Sequence, residues 1–302
     1  MLSNNQTRKI IAKRRGNTFG FWFFRVFLKV FGLRGAYGFL YLICLYYLLF
    51  DRQATNGALA YAKRRFPGSG LLRLRLHVYR LFISQGKQLI DRYAAISGNA
   101  LFNIKVEGAE GLTELLRSRQ EGFILLTAHV GNWQVALTTL KNLNRLVHLV
   151  MRPEDNPAVE RSLHISKEGD FIRIISPEAE LDGIVQIMNA LKKGDVVSIM
   201  GDRKYNFQAL DVFFLGDTAY FPYGAFAIAA AANCPIVVLL SAKLAYKKYL
   251  VDVSNVLYPR YNGVAGKQEQ LRSFVQQFAT ALDTYTERYP YQCFLFHDIW
   301  KN

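Results

Sequence analysis

The sequence predicts an α/β fold: a largely parallel central sheet flanked by helices on both faces, preceded by an N-terminal hydrophobic and amphipathic helical segment. Three observations predict it. From residue 103 onward, short apolar runs of strand length alternate with amphipathic helical patterns, as parallel strands joined by crossover helices require. The run Phe123-Ile124-Leu125-Leu126-Thr127-Ala128 is apolar at nearly every position, as a strand covered on both faces must be. The first 50 residues differ in kind, with a basic tail followed by aromatic and aliphatic residues carrying few charges. The expected division is therefore 1–51 as a basic tail plus membrane-associating helices, and 52–302 as the α/β domain.

Composition narrows the partners. Hydrophobic residues make up 51% and aromatics 14%, rich enough to imply surface that is apolar on purpose. A formal charge of +15 suits a polyanion, either nucleic acid or the anionic face of a membrane. The basic residues are interleaved with Phe, Leu and Tyr and no nucleic-acid motif occurs, so the membrane is favoured and nucleic acid is not expected. Cys44, Cys234 and Cys293 are odd in number and far apart, without metal-ligand spacing or a disulfide framework, so a reducing compartment and no metal are expected.

In chain order, residues 1–15 carry Arg8, Lys9, Lys13, Arg14 and Arg15 and no acid, a tail facing something negative. Over 19–31, Arg25 and Lys29 fall four apart on one helical face while Trp22, Phe23, Val26, Phe27 and Val30 fill the rest, the pattern of a helix lying in a membrane interface. The uncharged run 35–50 is shorter than the ~20 residues of a spanning helix. It reads as a tilted span, as a hairpin partner entering one leaflet and docking on the domain, or as a buried core helix. No cleavage site follows it, so it does not read as a signal peptide. Residues 52–104 read as helical, with Arg73, Arg75 and Arg80 available to a negative surface.

A strand at 103–106 and a helix at 108–118 lead into the central strand, 123–128. Gly131-Asn132 then supplies a turn and a cap for a helix from Trp133 to about 143. A strand at 147–151 ends in a loop made rigid by Pro153 and Pro157. Helix 158–170, strand 171–175 and helix 180–193, closed by Gly194, precede the buried strand 195–200, which stops at Gly201-Asp202-Arg203. A β-excursion over 211–221, a small-residue helix at 225–233, and a strand at 235–241 paired with 249–253 follow. A helix over 268–288, stopped by Pro290, leads to the closing segment 291–300.

Ligands of open α/β sheets sit outside the carboxyl ends of strands. His129 lies there, and an imidazole can act as a general base near neutral pH, although an ordinary core histidine fits the position equally well. Arg152 also follows a strand, as an anion or oxyanion contact or as the partner of Glu154 or Asp155. Asp202 and Arg203 follow a third strand.

Six blocks in order carry a resemblance: LYYLLFD, TAHVGNWQ, VMRPEDNP, MGDR, VFFLGDTAYFPYGAFAIA and FLFHDIW. The chain resembles the late acyltransferases of lipid A biosynthesis and their relatives in the lysophospholipid acyltransferase superfamily, and its ending looks like that of relatives in aryl-polyene or glycolipid pathways. The resemblance implies a membrane-associated O-acyltransferase at the cytoplasmic face of the bacterial inner membrane. It would move a fatty acyl group from an acyl-carrier-protein or coenzyme A thioester to a hydroxyl of a lipid or glycolipid. The thioester is a co-substrate; no cofactor, metal or covalent enzyme intermediate is implied. His129 would be the general base, with Arg152, Asp202, Arg203, Asn132 and Gly131 around the substrates and amides near Gly131 helping at the oxyanion. A basic surface suits an acidic carrier protein and an anionic membrane.

One position departs from the pattern: Gln134 stands where the family has the acid that orients the imidazole. Three explanations stand. Another carboxylate, with Asp202 a candidate, supplies the charge; or Gln134 is an engineered trap; or the chain is an impaired member acting as an acyl-lipid binding or accessory protein.

Overall fold

The computed structural model of the chain describes residues 18–96, 101–118, 121–137, 145–151, 172–176, 180–203, 208–263 and 266–300. The predicted basic tail, Arg152 with its loop, and the helix at 158–170 lie outside the described residues, and the helix beginning at Trp133 is described as far as Leu137.

Seven strands form one sheet: β1 (Asn103–Glu107), β2 (Phe123–Thr127), β3 (Val147–Val150), β4 (Ile172–Ile175), β5 (Val196–Met200), β8 (Ile236–Ala245) and β9 (Lys248–Leu257). Their order is β1-β9-β8-β2-β5-β3-β4, and every neighbouring pair is parallel except the β8–β9 hairpin. Strands β6 (Ala209–Phe214) and β7 (Asp217–Pro222) pair antiparallel as a separate two-stranded ribbon. The expected largely parallel sheet is present.

All five residues of β2 are buried, because both sheet faces are covered. Ile124 and Leu126 enter one core and Phe123 and Leu125 the other, the two-residue alternation of a pleated strand. Each such side chain contributes roughly 1.5–3 kcal/mol on burial. The first core also takes Ile187 from α6 (Glu180–Lys192), Phe226 from α7 (Gly224–Ala232) and Phe278 from α8 (Lys267–Arg288). The second takes Leu112 and Leu115 from α4 (Ala109–Ser118) and Ala136 from α5 (Trp133–Leu137).

The N-terminal region is three helices, α1 (Thr18–Phe50), α2 (Arg52–Arg65) and α3 (Leu71–Ile96). Helix α1 is broken at Gly32, whose φ of 63° and ψ of −171° are non-helical. The rings of Phe27 and Phe39 lie 5.3 Å apart, whereas twelve residues of straight helix would rise about 18 Å. The chain therefore folds back at Gly32. Beyond the break, Leu33, Ala36, Leu40 and Cys44 recur every three or four residues and are buried, with Leu40 seated on Gly86 of α3. The opposite face leaves Leu42, Leu45, Tyr46, Leu49 and Phe50 exposed. By length and composition Val26–Phe50 is apolar enough to cross a membrane. Here one face of it is docked on the domain and the other is a surface that can bind a membrane.

A buried polar cluster fastens that docking. Asp91 of α3 is fully buried and accepts hydrogen bonds from Tyr37 of α1, Lys243 of β8 and Tyr249 of β9. Lys243 Nζ also donates to the Tyr37 hydroxyl at 3.0 Å.

Candidate active site

The site is a product of sheet register. Strands β2 and β5 are parallel neighbours with Thr127 opposite Met200, and Gly201 N donates to Thr127 O at 2.9 Å. Two residues beyond that pair on each strand stand His129 and Asp202. Asp202 Oδ2 accepts from the His129 backbone N–H at 2.8 Å. The His129 Nδ1 lies 2.9 Å from Oδ1 and 3.0 Å from Oδ2 of the same carboxylate.

Asp202 is completely buried, and burial by itself would raise its pKa. The attraction and hydrogen bonds of His129, together with the Arg203 charge, outweigh burial and hold the carboxyl below the usual carboxylate range. An ionised carboxylate only accepts, so Nδ1 carries the proton and the Nε2 lone pair is left to act. The imidazole side chain is 19% exposed, so a substrate can reach it while the carboxylate behind it stays dry.

The turn after His129 is pinned from two sides. Gly131 has φ +53°, and a Cβ there would lie 1.5 Å from Ser241 O, so only glycine fits. Its N–H donates to Gln292 O at 2.8 Å, and Phe294 N donates to His129 O at 2.8 Å, which lays the closing segment antiparallel along the turn with a Val130–Cys293 bridge between. Asn132 N donates to Ser241 Oγ at 2.7 Å, its Oδ1 accepts from Val135 N at 3.3 Å as the cap of α5, and its Nδ2 donates to Gln88 O at 2.8 Å. The amide N–H groups of Gly131 and Asn132 are thus already engaged within the protein. Asn132 is itself buried.

The sequence model for bacterial lipid A biosynthesis acyltransferases matches residues 92–302, which includes β2, β5, the turn and the closing segment. The chain belongs to this family. A comparison with curated proteins finds no match.

In this lipid A-type acyltransferase the side chain held against the His129 ring is that of Asp202, not Gln134. No hydrogen bond joins Gln134 to His129, and the ring nitrogen Nδ1 is held by Asp202. The structure brings His129, Asp202, Arg203, Gly131 and Asn132 together; Arg152 is outside the described residues. Among the described residues no three His, Cys, Asp or Glu side chains are grouped to hold a metal ion. Cys293 adjoins Asp202, but burial first and the Asp202 charge second push its thiol well above the ordinary range, so it is a protonated core side chain rather than a nucleophile.

Sequence reasoning missed His297. It sits inside FLFHDIW, a block that carried the resemblance through its Phe, Asp and Trp positions and not through its histidine. In the fold its ring is electrostatically coupled to His129, Asp202 and Arg203, and burial first, then the Arg203 charge, lowers its pKa to about 4. A histidine three residues past Phe294 gave no spacing signal of its own, since its neighbours in the site come from β2 and β5.

Proposed function

We propose that this acyltransferase is membrane-associated and transfers a fatty acyl group from an acyl-carrier-protein or coenzyme A thioester to a hydroxyl of a lipid or glycolipid, with His129 as general base. The observation that carries the proposal is the Asp202–His129 pair, a buried carboxylate fixing Nδ1–H and leaving the Nε2 lone pair on a ring that is 19% exposed. In this reading Nε2 takes the proton from the acceptor hydroxyl as its oxygen adds to the thioester carbonyl. The tetrahedral intermediate collapses, the carbon–sulfur bond breaks, and the thiolate leaves with the proton from the imidazolium. Asp202 steadies the imidazolium between the two steps. The exposed apolar face of α1 would hold the site against lipid at the cytoplasmic face of the bacterial inner membrane, where soluble thioester donors are at hand.

The test is acyl transfer by the purified chain in detergent, with labelled acyl-carrier protein or acyl-coenzyme A and a total lipid extract. His129→Ala is expected to abolish transfer. Asp202→Asn is expected to lower turnover about 10⁴-fold, as the comparable loss of charge does in the serine protease triad, while Gln134→Ala stays within about threefold. The reverse pattern, with Gln134 indispensable and Asp202 dispensable, would overturn the assignment. The impaired, lipid-binding alternative rests on Gln134 alone and predicts no transfer by the chain as it stands, with transfer only by Gln134→Glu.

A further inference from the structure

Addition to a thioester places negative charge on the carbonyl oxygen, and that charge needs N–H donors set in a dry site. The amides of Gly131 and Asn132 are already used. Two side-chain nitrogens are not: among the described residues, Arg203 Nε and His297 Nε2 are the buried nitrogens without a hydrogen-bond partner. An unmade hydrogen bond on a buried donor costs about 1–3 kcal/mol, so two in one site ask for a ligand.

Both belong to the neighbourhood of the His129–Asp202 pair. Arg203 follows Asp202 directly and its charge acts on that carboxylate. His297 is brought there by the backbone ties that lay 292–294 on 129–131, and its ring feels His129, Asp202 and Arg203 together. With its pKa pushed down to about 4, the ring is uncharged near neutral pH, so it can donate an N–H without setting a second positive charge against a protonating His129.

We propose that Arg203 Nε–H and His297 Nε2–H together hold the carbonyl oxygen of the acyl thioester, which makes His297 a further catalytic residue. The inference rests on the reading of the chain as a thioester-dependent transferase with His129 as base. When the acceptor oxygen adds, the carbonyl π electrons move onto an oxygen gripped by one cation and one neutral donor. When the carbonyl re-forms, that grip relaxes and the carbon–sulfur bond breaks.

The experiment uses the full chain in detergent and dodecanoyl-coenzyme A labelled with ¹³C at the carbonyl. In His129→Ala, which binds the probe without turnover, the carbonyl infrared band is expected at lower frequency than in water, and adding His297→Phe is expected to shrink that shift. With His129 intact, His297→Phe should lower kcat about 10²- to 10³-fold with the donor KM within about threefold. His297→Gln, which restores an N–H, should recover part of the loss, and Arg203→Lys, which keeps charge but loses Nε–H, should resemble His297→Phe. A carbonyl band at its aqueous frequency in His129→Ala, or turnover of His297→Phe within threefold of wild type, overturns the proposal. If wild type transfers no acyl group yet the band shifts, the transferase reading fails and the carbonyl site stands; no transfer and no shift removes both.

Discussion

Residue 131 tolerates no side chain, because two independent constraints meet there. The left-handed φ of +53° strains any L-residue, and a Cβ would lie 1.5 Å from Ser241 O. Gly131→Ala is therefore expected to cost about 3 kcal/mol or more, read from the denaturant midpoint, and to displace His129 two residues earlier. A second residue-scale prediction concerns acid. His297 has a folded pKa of about 4 against an ordinary 6.5, so between those values the unfolded chain binds a proton that the native chain refuses. Stability then falls as pH drops from about 6.5 toward 4, by about 2 kcal/mol at pH 5, and the Asp202–His129 contribution is lost in turn below the ordinary carboxylate pKa. Thermal melts at pH 7 and pH 5 check this: His297→Gln should show the smaller drop. At this scale the sequence was half legible. His129 and Asp202 each announce themselves as polar residues ending apolar runs and Asp202 was a candidate to supply the charge, but their partnership depends on which strands are neighbours, whereas the family pattern drew attention to Gln134.

Helix α1 carries two faces with separate jobs. Leu33, Ala36, Leu40 and Cys44 dock on α3, while Leu42, Leu45 and Leu49 face outward. The triple change Leu42→Gln, Leu45→Gln and Leu49→Gln is expected to weaken binding to anionic lipid vesicles at least about tenfold in a sedimentation assay, since each leucine would otherwise bury its side chain in the leaflet. The melting temperature should move little, because exposed changes are usually within about 0.5 kcal/mol each. Periodicity and charge spacing made both helical halves readable. The break at Gly32 was not, because a glycine within an apolar helical pattern carries no mark that separates a tolerated residue from a point of reversal. The three readings of 35–50 could be separated only by what α3 offers in return, namely the groove at Gly86 and the carboxylate of Asp91.

Across the whole molecule, the Asp91 cluster joins parts that the sequence holds far apart. It ties α1, α3, β8 and β9 to one buried carboxylate, and one turn earlier on α3 Gln88 reaches Asn132 through its carbonyl and Gln292 through its side chain. Helix α1, with its exposed apolar face, and the His129 turn thus share a frame. Asp91→Asn would leave Lys243 buried without its counter-ion, so a loss of about 3–5 kcal/mol is expected in chemical denaturation. Replacing both, as Asp91→Leu with Lys243→Met, should recover much of that loss, and failure to recover would show that the tyrosines carry the cluster. The alternation of strands and helices predicted the layers of this fold and the local pattern over 211–221 predicted the ribbon β6–β7, whereas the order of strands in the large sheet depends on contacts between distant segments that no local pattern encodes.

The antiparallel tie of the closing segment to the His129 turn also sets an order of events during synthesis. The apolar α1 leaves the ribosome first and can engage lipid while most of the sheet is still unmade. The bonds from Gly131 to Gln292 and from Phe294 to His129 form only after residues 292–294 emerge. The His129 turn therefore stays untied long after α1 is made, and a chain stopped before residue 292 would lack both bonds.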